Sequence, residues 1–231
     1  METTRFDWDA IITTLESWRK DLREERALSG NEPEPSVTTV AEQYKRDPWA
    51  VLVSTIVSLR TKDEVTLAVS KGLLEKASTP AELRALQEGE IARLIYPAGF
   101  YRTKASNLKK IAAVLTGQYA GRVPADMDAL LALPGVGRKT ANLVLTEAFD
   151  IDGICVDTHV HRISNRTGWV SSVNPEQTEQ TLRKILPQKY WKGINSLLVL
   201  YGQQVCRPIS PFCSKCVMPG RCKRRGVERS R

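Results

Sequence analysis

Apolar residues return at helical spacing through almost the whole chain, and the alternation that would mark a β-strand is nearly absent. WDAIITTLESW from Trp8, WAVLVSTIVSL from Trp49, NLKKIAAVL from Asn107 and YWKGINSLLVLYG from Tyr190 set their large apolar side chains three and four residues apart. That period gathers them on one face of an α-helix. Start signals agree: Thr79-Pro80-Ala81-Glu82 has a cap residue, proline at the first helical position and a glutamate to close a capping box, and Asn174-Pro175-Glu176-Gln177 repeats the arrangement. Pro48, Pro97, Pro124, Pro134 and Pro187 fall between periodic segments, where a missing N–H and a fixed φ begin or end a helix. The expectation is an all-α chain of about ten short helices with short connections. Two stretches read as longer loops, Ser29 to Thr39 and the tail after Cys206.

With 231 residues, 42% hydrophobic and 26% charged, the chain can bury a sizeable core, which excludes collagen-like, low-complexity and disordered classes. Its length suits one domain or two small lobes. No apolar run approaches the roughly 18 to 20 residues of a membrane helix. The opening METTRFDWDA is acidic and has no hydrophobic segment, so a cytoplasmic protein, neither exported nor membrane-embedded, is expected. Lys and Arg number 34 against 26 Asp and Glu, a formal charge of +8. The excess is uneven: the first 38 residues hold five basic and nine acidic side chains, and the rest carries a net +12. Such a surface draws a polyanion, nucleic acid first, with mere solubilising charge as the plainer reading.

Four of the five cysteines, Cys206, Cys213, Cys216 and Cys222, form C-x6-C-x2-C-x5-C directly after a helical pattern. Short loops between thiols cost little closure entropy and turn the sulfurs toward one centre. A reducing compartment disfavours disulfides. Zinc ribbons bring together two C-x2-C knuckles and only one pair is so spaced here, which ranks a 4Fe–4S cube ahead of zinc. Cys155, in the apolar run Ile154-Cys155-Val156, reads as packing. Arg207, Lys215, Arg221, Lys223, Arg224 and Arg225 surround the four thiols, a basic loop suited to a phosphate backbone.

Leu133-Pro134-Gly135-Val136-Gly137-Arg138-Lys139-Thr140 links a short helix around Ala129 to Leu131 with a second at Ala141 to Phe149. The two glycines allow a tight turn and close approach by another molecule, and the second helix points its N-terminus outward, where a phosphate oxygen binds. Such a grip holds backbone and reads no bases. A nucleotide-binding loop of the form G-x-x-x-x-G-K-[ST] is excluded, because Arg138 stands at the required glycine and no strand precedes the loop. Lys139 reads either as one more phosphate contact or as a nucleophile acting through its neutral amine. Asp157, in Val156-Asp157-Thr158-His159, reads as the N-cap of the next helix, as a carboxylate that takes a proton and stabilises developing positive charge, or as both. His159 and His161, the only histidines, are given structural roles.

LPGVGRKTANLVL, then VDTHVHRISNRTG, then the cysteine spacing, in that order and within a match from about Pro48 to Cys222, strongly resemble endonuclease III, the bifunctional DNA glycosylase and AP lyase family of the helix-hairpin-helix superfamily. The resemblance implies a six-helix barrel at 41–151 carrying the hairpin, an iron–sulfur lobe made of 1–40 plus 152–231, and a DNA cleft between them. It assigns Lys139 as the Schiff-base lysine, Asp157 as the catalytic aspartate and the four tail cysteines as ligands of a 4Fe–4S cluster. Gly135, Val136, Gly137, Arg138 and Thr140 then become DNA contacts. The implied protein is a nucleoid-associated monomer acting on double-stranded DNA with damaged bases or abasic sites: it removes oxidised pyrimidines and cleaves the abasic site by β-elimination. Arg60 stands where the family often has the glutamine that fills the hole left by a flipped base, and Phe100 fits the position of an apolar wedge, with an ordinary core aromatic as its alternative. Leu131 replaces an acidic residue of some relatives. A monofunctional mismatch or adenine glycosylase of the same superfamily and a non-catalytic DNA-binding module are the rival readings. Lys139 argues against the first, and its pairing with Asp157 against the second.

Overall fold

The computed structural model describes residues 6–28 and 35–231, and among them it contains twelve α-helices, three single 3-10 turns and no strand. The all-α expectation is borne out. The chain separates into two compact units, one running from Pro35 to Gly153 and the other combining the N-terminal helix with Ile154–Arg231.

The first unit is built around α3 (Pro48–Ser58), whose residues Trp49 to Val57 are all buried. A helix that is apolar on every side must be surrounded. Here α2 (Ser36–Gln43), α4 (Asp63–Lys76), α7 (Tyr101–Gln118) and α9 (Arg138–Phe149) pack against it. Asp47 caps α3 through a bond from the Ala50 N–H (2.8 Å), and Pro48 occupies the first turn. The remaining helices are α5 (Pro80–Ala85), α6 (Glu88–Leu94) and α8 (Met127–Leu131), which makes eight in the unit. The expected capping box is complete at α5: Thr79 Oγ1 accepts the Glu82 N–H, and Glu82 accepts the Thr79 N–H.

Two expected boundaries are corrected. Of the loop expected at 29–39, residues 29–34 lie outside the described ones, and Ser36 to Thr39 form the first turn of α2. Pro35 is its extended N-cap, while Asp63 takes both the N–H (3.2 Å) and the hydroxyl (2.6 Å) of Ser36. Val37, Val40 and Ala41 are the buried face that the proline-rich context obscured. The helix read from Tyr190 begins instead at Ile194: Gln188–Tyr190 form a 3-10 turn, and Trp191 is held by its indole N–H on the Leu186 carbonyl (2.9 Å).

In the second unit, α1 (Trp8–Ala27) and α10 (Thr158–Thr167) both pack on α12 (Ile194–Gln204), and α11 (Pro175–Ile185) packs on α10. Trp8, Leu15, Ile154, Ile163, Trp169, Leu198 and Tyr201 belong to one core. Trp18 meets Tyr201 edge-on at 4.7 Å, a favoured aromatic geometry. At α11 the second capping device is only partly as expected. Asn174 accepts the Gln177 N–H (2.9 Å), but the Gln177 side chain returns to the Val173 N–H (3.2 Å) instead of the cap residue's own.

Candidate functional site

The hairpin between α8 and α9 has the turn its glycines require. Gly135 adopts φ +77°, and a Cβ there would strike the Asn107 side chain. The Val136 N–H bonds to the Leu133 carbonyl (3.1 Å) and closes the turn. Gly137 differs: it is the extended N-cap of α9, it brings no side chain to cap the helix, and a Cβ there would touch nothing. The side of Gly137 where a Cβ would stand is open. Arg138 is exposed and Lys139 half-buried in the first turn of α9, whereas Val136 and Thr140 turn their side chains inward. Whatever Val136 and Thr140 offer a ligand therefore comes from their backbones.

Asp157 follows the buried run Ile154-Cys155-Val156 and caps α10. Its Oδ1 accepts the N–H groups of His159 (2.8 Å) and Val160 (2.9 Å). The capping role is thus realised, and all the described bonds of the carboxylate use one oxygen. His161 Nδ1 meets Thr178 Oγ1 (2.7 Å) and His159 Nδ1 meets Arg162 Nη2 (3.1 Å), in line with structural roles.

Arg60 and Phe100 sit on neighbouring turns of the first unit. Phe100 is 62% exposed, so it is not a core aromatic. The Arg60 guanidinium lies 5.4 Å from the Phe100 ring centre, within cation–π range. Both residues have positive φ, +52° and +56°, in the left-handed region that costs a side-chain-bearing residue roughly 1–3 kcal/mol and clusters at functional positions.

The four tail cysteines are all free and partly buried. Their sulfurs are met by donors: Tyr201 Oη–H on Cys216 (3.1 Å), the Met218 N–H on Cys216 (3.4 Å), the Arg224 N–H on Cys222 (3.4 Å) and Arg166 Nη1 on Cys206 (3.6 Å). Burial pushes the Cys222 thiol up, and the charges of Cys216, Cys206 and Cys213 push it further. No set of three or more His, Cys, Asp or Glu side chains among the described residues is grouped so as to hold a single metal ion.

Three cations that brace the candidate site's loops were not singled out from the sequence. Arg162 and Arg166, one turn apart on α10, hold the start of the cysteine loop: Arg162 donates to the carbonyls of Cys206 (2.9 Å) and Gly202 (3.2 Å), and Arg166 to those of Arg207 and Pro208 (2.6 Å each). Their i, i+4 spacing on a helix with an apolar face was the available signal. Lys104 is the third. Only 5% exposed, it donates to the carbonyls of Val57 (2.7 Å) and Leu59 (2.6 Å) and to Thr61 Oγ1 (2.8 Å), and burial brings its pKa down to about 8.

Residues 53–188 match the model of the HhH-GPD superfamily of base excision DNA repair proteins. Endonuclease III of Thermotoga maritima is 46% identical over 183 residues, 78% of this chain and 86% of that protein. The chloroplastic endonuclease III homolog 2 of Arabidopsis thaliana is 40% identical over 222 residues, 90% of this chain but 58% of that longer protein. Among solved structures, a trapped covalent endonuclease III–DNA intermediate with an estranged adenine superposes with a TM-score of 0.74 at 37% identity, over 77% of this chain and 84% of that one.

Proposed function

From the premise that this chain belongs to the HhH-GPD superfamily of base excision DNA repair proteins, among the endonuclease III proteins, we propose that it excises oxidised pyrimidines from duplex DNA and cleaves the abasic site through Lys139. The observation that carries this reading is the placement of Lys139, half-buried in the first turn of α9 beside the open face of Gly137. The hairpin backbone from Gly135 to Thr140 grips phosphate, with Arg138 adding charge, and brings the sugar to the amine. The damaged nucleotide is everted, which costs least where pairing is already weak. Arg60 fills the space it leaves and Phe100 wedges the neighbouring step.

The Lys139 amine attacks C1′ as the bond to the base breaks, and the base departs with the bonding pair and takes a proton from solvent. Asp157 stabilises the positive charge that develops on the sugar. The Lys139 nitrogen gives a proton to O4′ as the C1′–O4′ bond opens, and the protonated imine so formed acidifies the C2′ proton. Its removal expels the 3′ phosphate, and the strand is cut by β-elimination. The trapped covalent DNA complex of the similar endonuclease III supports a covalent route. Cys206, Cys213, Cys216 and Cys222 would hold a 4Fe–4S cluster. The donor set fits such a group in that three of the four thiols, Cys206, Cys216 and Cys222, receive N–H or O–H donors of the kind that stabilise cluster sulfurs. When bound, the cluster would supply a crosslink between the four cysteines of the basic tail. As the reading has it, the protein works as a monomer at the nucleoid.

Borohydride reduction on an abasic duplex tests the central claim. The wild type should be captured as a covalent adduct and Lys139→Ala should not. Absence of an adduct in both would overturn the lyase assignment.

A further inference from the structure

The turn bearing Arg60 and the turn bearing Phe100 are joined by a buried cation. Lys104 reaches from the first turn of α7 to the C-terminal end of α3, where all three of its described partners are oxygens of residues 57–61: two main-chain carbonyls and the Thr61 hydroxyl. No acidic side chain is among them. The charge is compensated by the negative end of the α3 dipole and by carbonyls left open where a helix stops. An ammonium has three N–H groups, and here each has one acceptor.

The second link runs through Thr61. Its Oγ1 accepts from Lys104 and also from the Gly99 N–H (3.1 Å), the residue just before Phe100. Gly99 lies so close to the other turn that a Cβ would collide with the Arg60 carbonyl. Two short turns are thus locked backbone to backbone, and the residues at their tips, both with positive φ, project as an exposed stacked pair. Neither tip residue needs this lock for burial, because both are exposed. The lock therefore serves what the tip presents.

We propose that Lys104 is a positioning residue for DNA distortion: through Thr61 and Gly99 it fixes the Arg60 and Phe100 turns as one rigid tip. This rests on the reading of Arg60 and Phe100 as DNA contacts. The test uses the full chain and a duplex with a reduced, uncleavable abasic site opposite 2-aminopurine, whose fluorescence reports the stacking of the opposite base. Lys104→Met keeps the stem and removes the donors. Thr61→Val keeps the shape and removes the bridging hydroxyl, and it decides the matter if Lys104→Met does not fold.

Both variants should change the fluorescence response in the same sense as Arg60→Ala/Phe100→Ala. Excision of a ring-saturated thymine should lose about tenfold or more in kcat with little change in KM. In the Arg60→Ala/Phe100→Ala background neither should have a further effect, because a tip already removed cannot be mispositioned. Unchanged fluorescence in both variants would overturn this inference alone, as would an equal further loss in the tipless background. If removing both tips has no effect, the DNA-contact reading fails and the inference fails with it, while the borohydride result on Lys139 still stands or falls separately.

Discussion

At residue scale, one carboxylate carries two duties that substitution can separate. Asp157 caps α10 with a single oxygen, and asparagine caps a helix about as well as aspartate. Asp157→Asn should therefore keep the melting temperature of the wild type while slowing base release about 100-fold. Asp157→Ala should add a stability loss of about 1 kcal/mol. Thermal denaturation beside single-turnover excision checks both, and an Asn variant that melts early would leave capping as the only supported duty. Lys104 makes a pH prediction of unusual sign. Its folded pKa of about 8 lies below the ordinary 10.5, so the unfolded chain binds this proton more tightly and the lysine's contribution to stability rises as pH climbs from about 8 toward 10.5. Over the same window the amine loses one of its three donors, and the response of 2-aminopurine should weaken. The difference between wild type and Lys104→Met, measured by denaturant unfolding and by fluorescence from pH 7 to 10, should show stability gained and DNA distortion lost together.

At the scale of elements, the hairpin places two glycines to different ends. Gly135 serves the protein: its φ of +77° and the nearby Asn107 make Gly135→Ala cost on the order of 1–2 kcal/mol. Gly137 has an extended backbone that any residue adopts and nothing within reach of a Cβ, so Gly137→Ala should cost only the roughly 0.5–1 kcal/mol of a poorer N-cap and weaken binding of an abasic duplex about tenfold through steric intrusion on the phosphate. Equal binding by wild type and Gly137→Ala in a titration would remove the hairpin from the interface. Both glycines were legible in sequence, but their division of labour was not, because spacing does not reveal which neighbour a missing Cβ faces. The same limit explains the buried side chains of Val136, in the hairpin turn, and Thr140, in the first turn of α9. Helix existence was readable because α3 and α11 carry caps and prolines at their starts and α7 carries strong periodicity. The start of α2 was not, because Pro35 sits in a run of loop-forming residues and doubles as the extended residue before a helix.

The whole molecule assembles from two units of unlike construction, and only part of that was readable. The Pro35–Gly153 unit is contiguous in the chain and organised by a helix whose all-round hydrophobicity announces burial. The other joins α1 to residues more than 120 positions later, an association that no local pattern encodes, and its last stretch is mostly irregular backbone. That stretch is tied to α10 by Arg162 and Arg166 on the carbonyls of Cys206, Arg207 and Pro208, and by main-chain bonds from Lys223 to Thr167 (3.2 Å) and Arg225 to Arg166 (3.1 Å). On the reading that Cys206, Cys213, Cys216 and Cys222 hold a cluster, that group is the further crosslink that orders this short irregular segment. Iron removal should therefore act locally. Bleaching of a yellow-brown protein by chelation should raise amide exchange through residues 206–225 and the C-terminal half of α10, where Arg162 and Arg166 lose their acceptors. Protection in α3 should stay as it was. Exchange measured by mass spectrometry before and after bleaching checks this, and a rise spread evenly over both units would mean that the cluster supports the entire fold. A colourless preparation containing zinc would instead replace the cube with a single-ion centre.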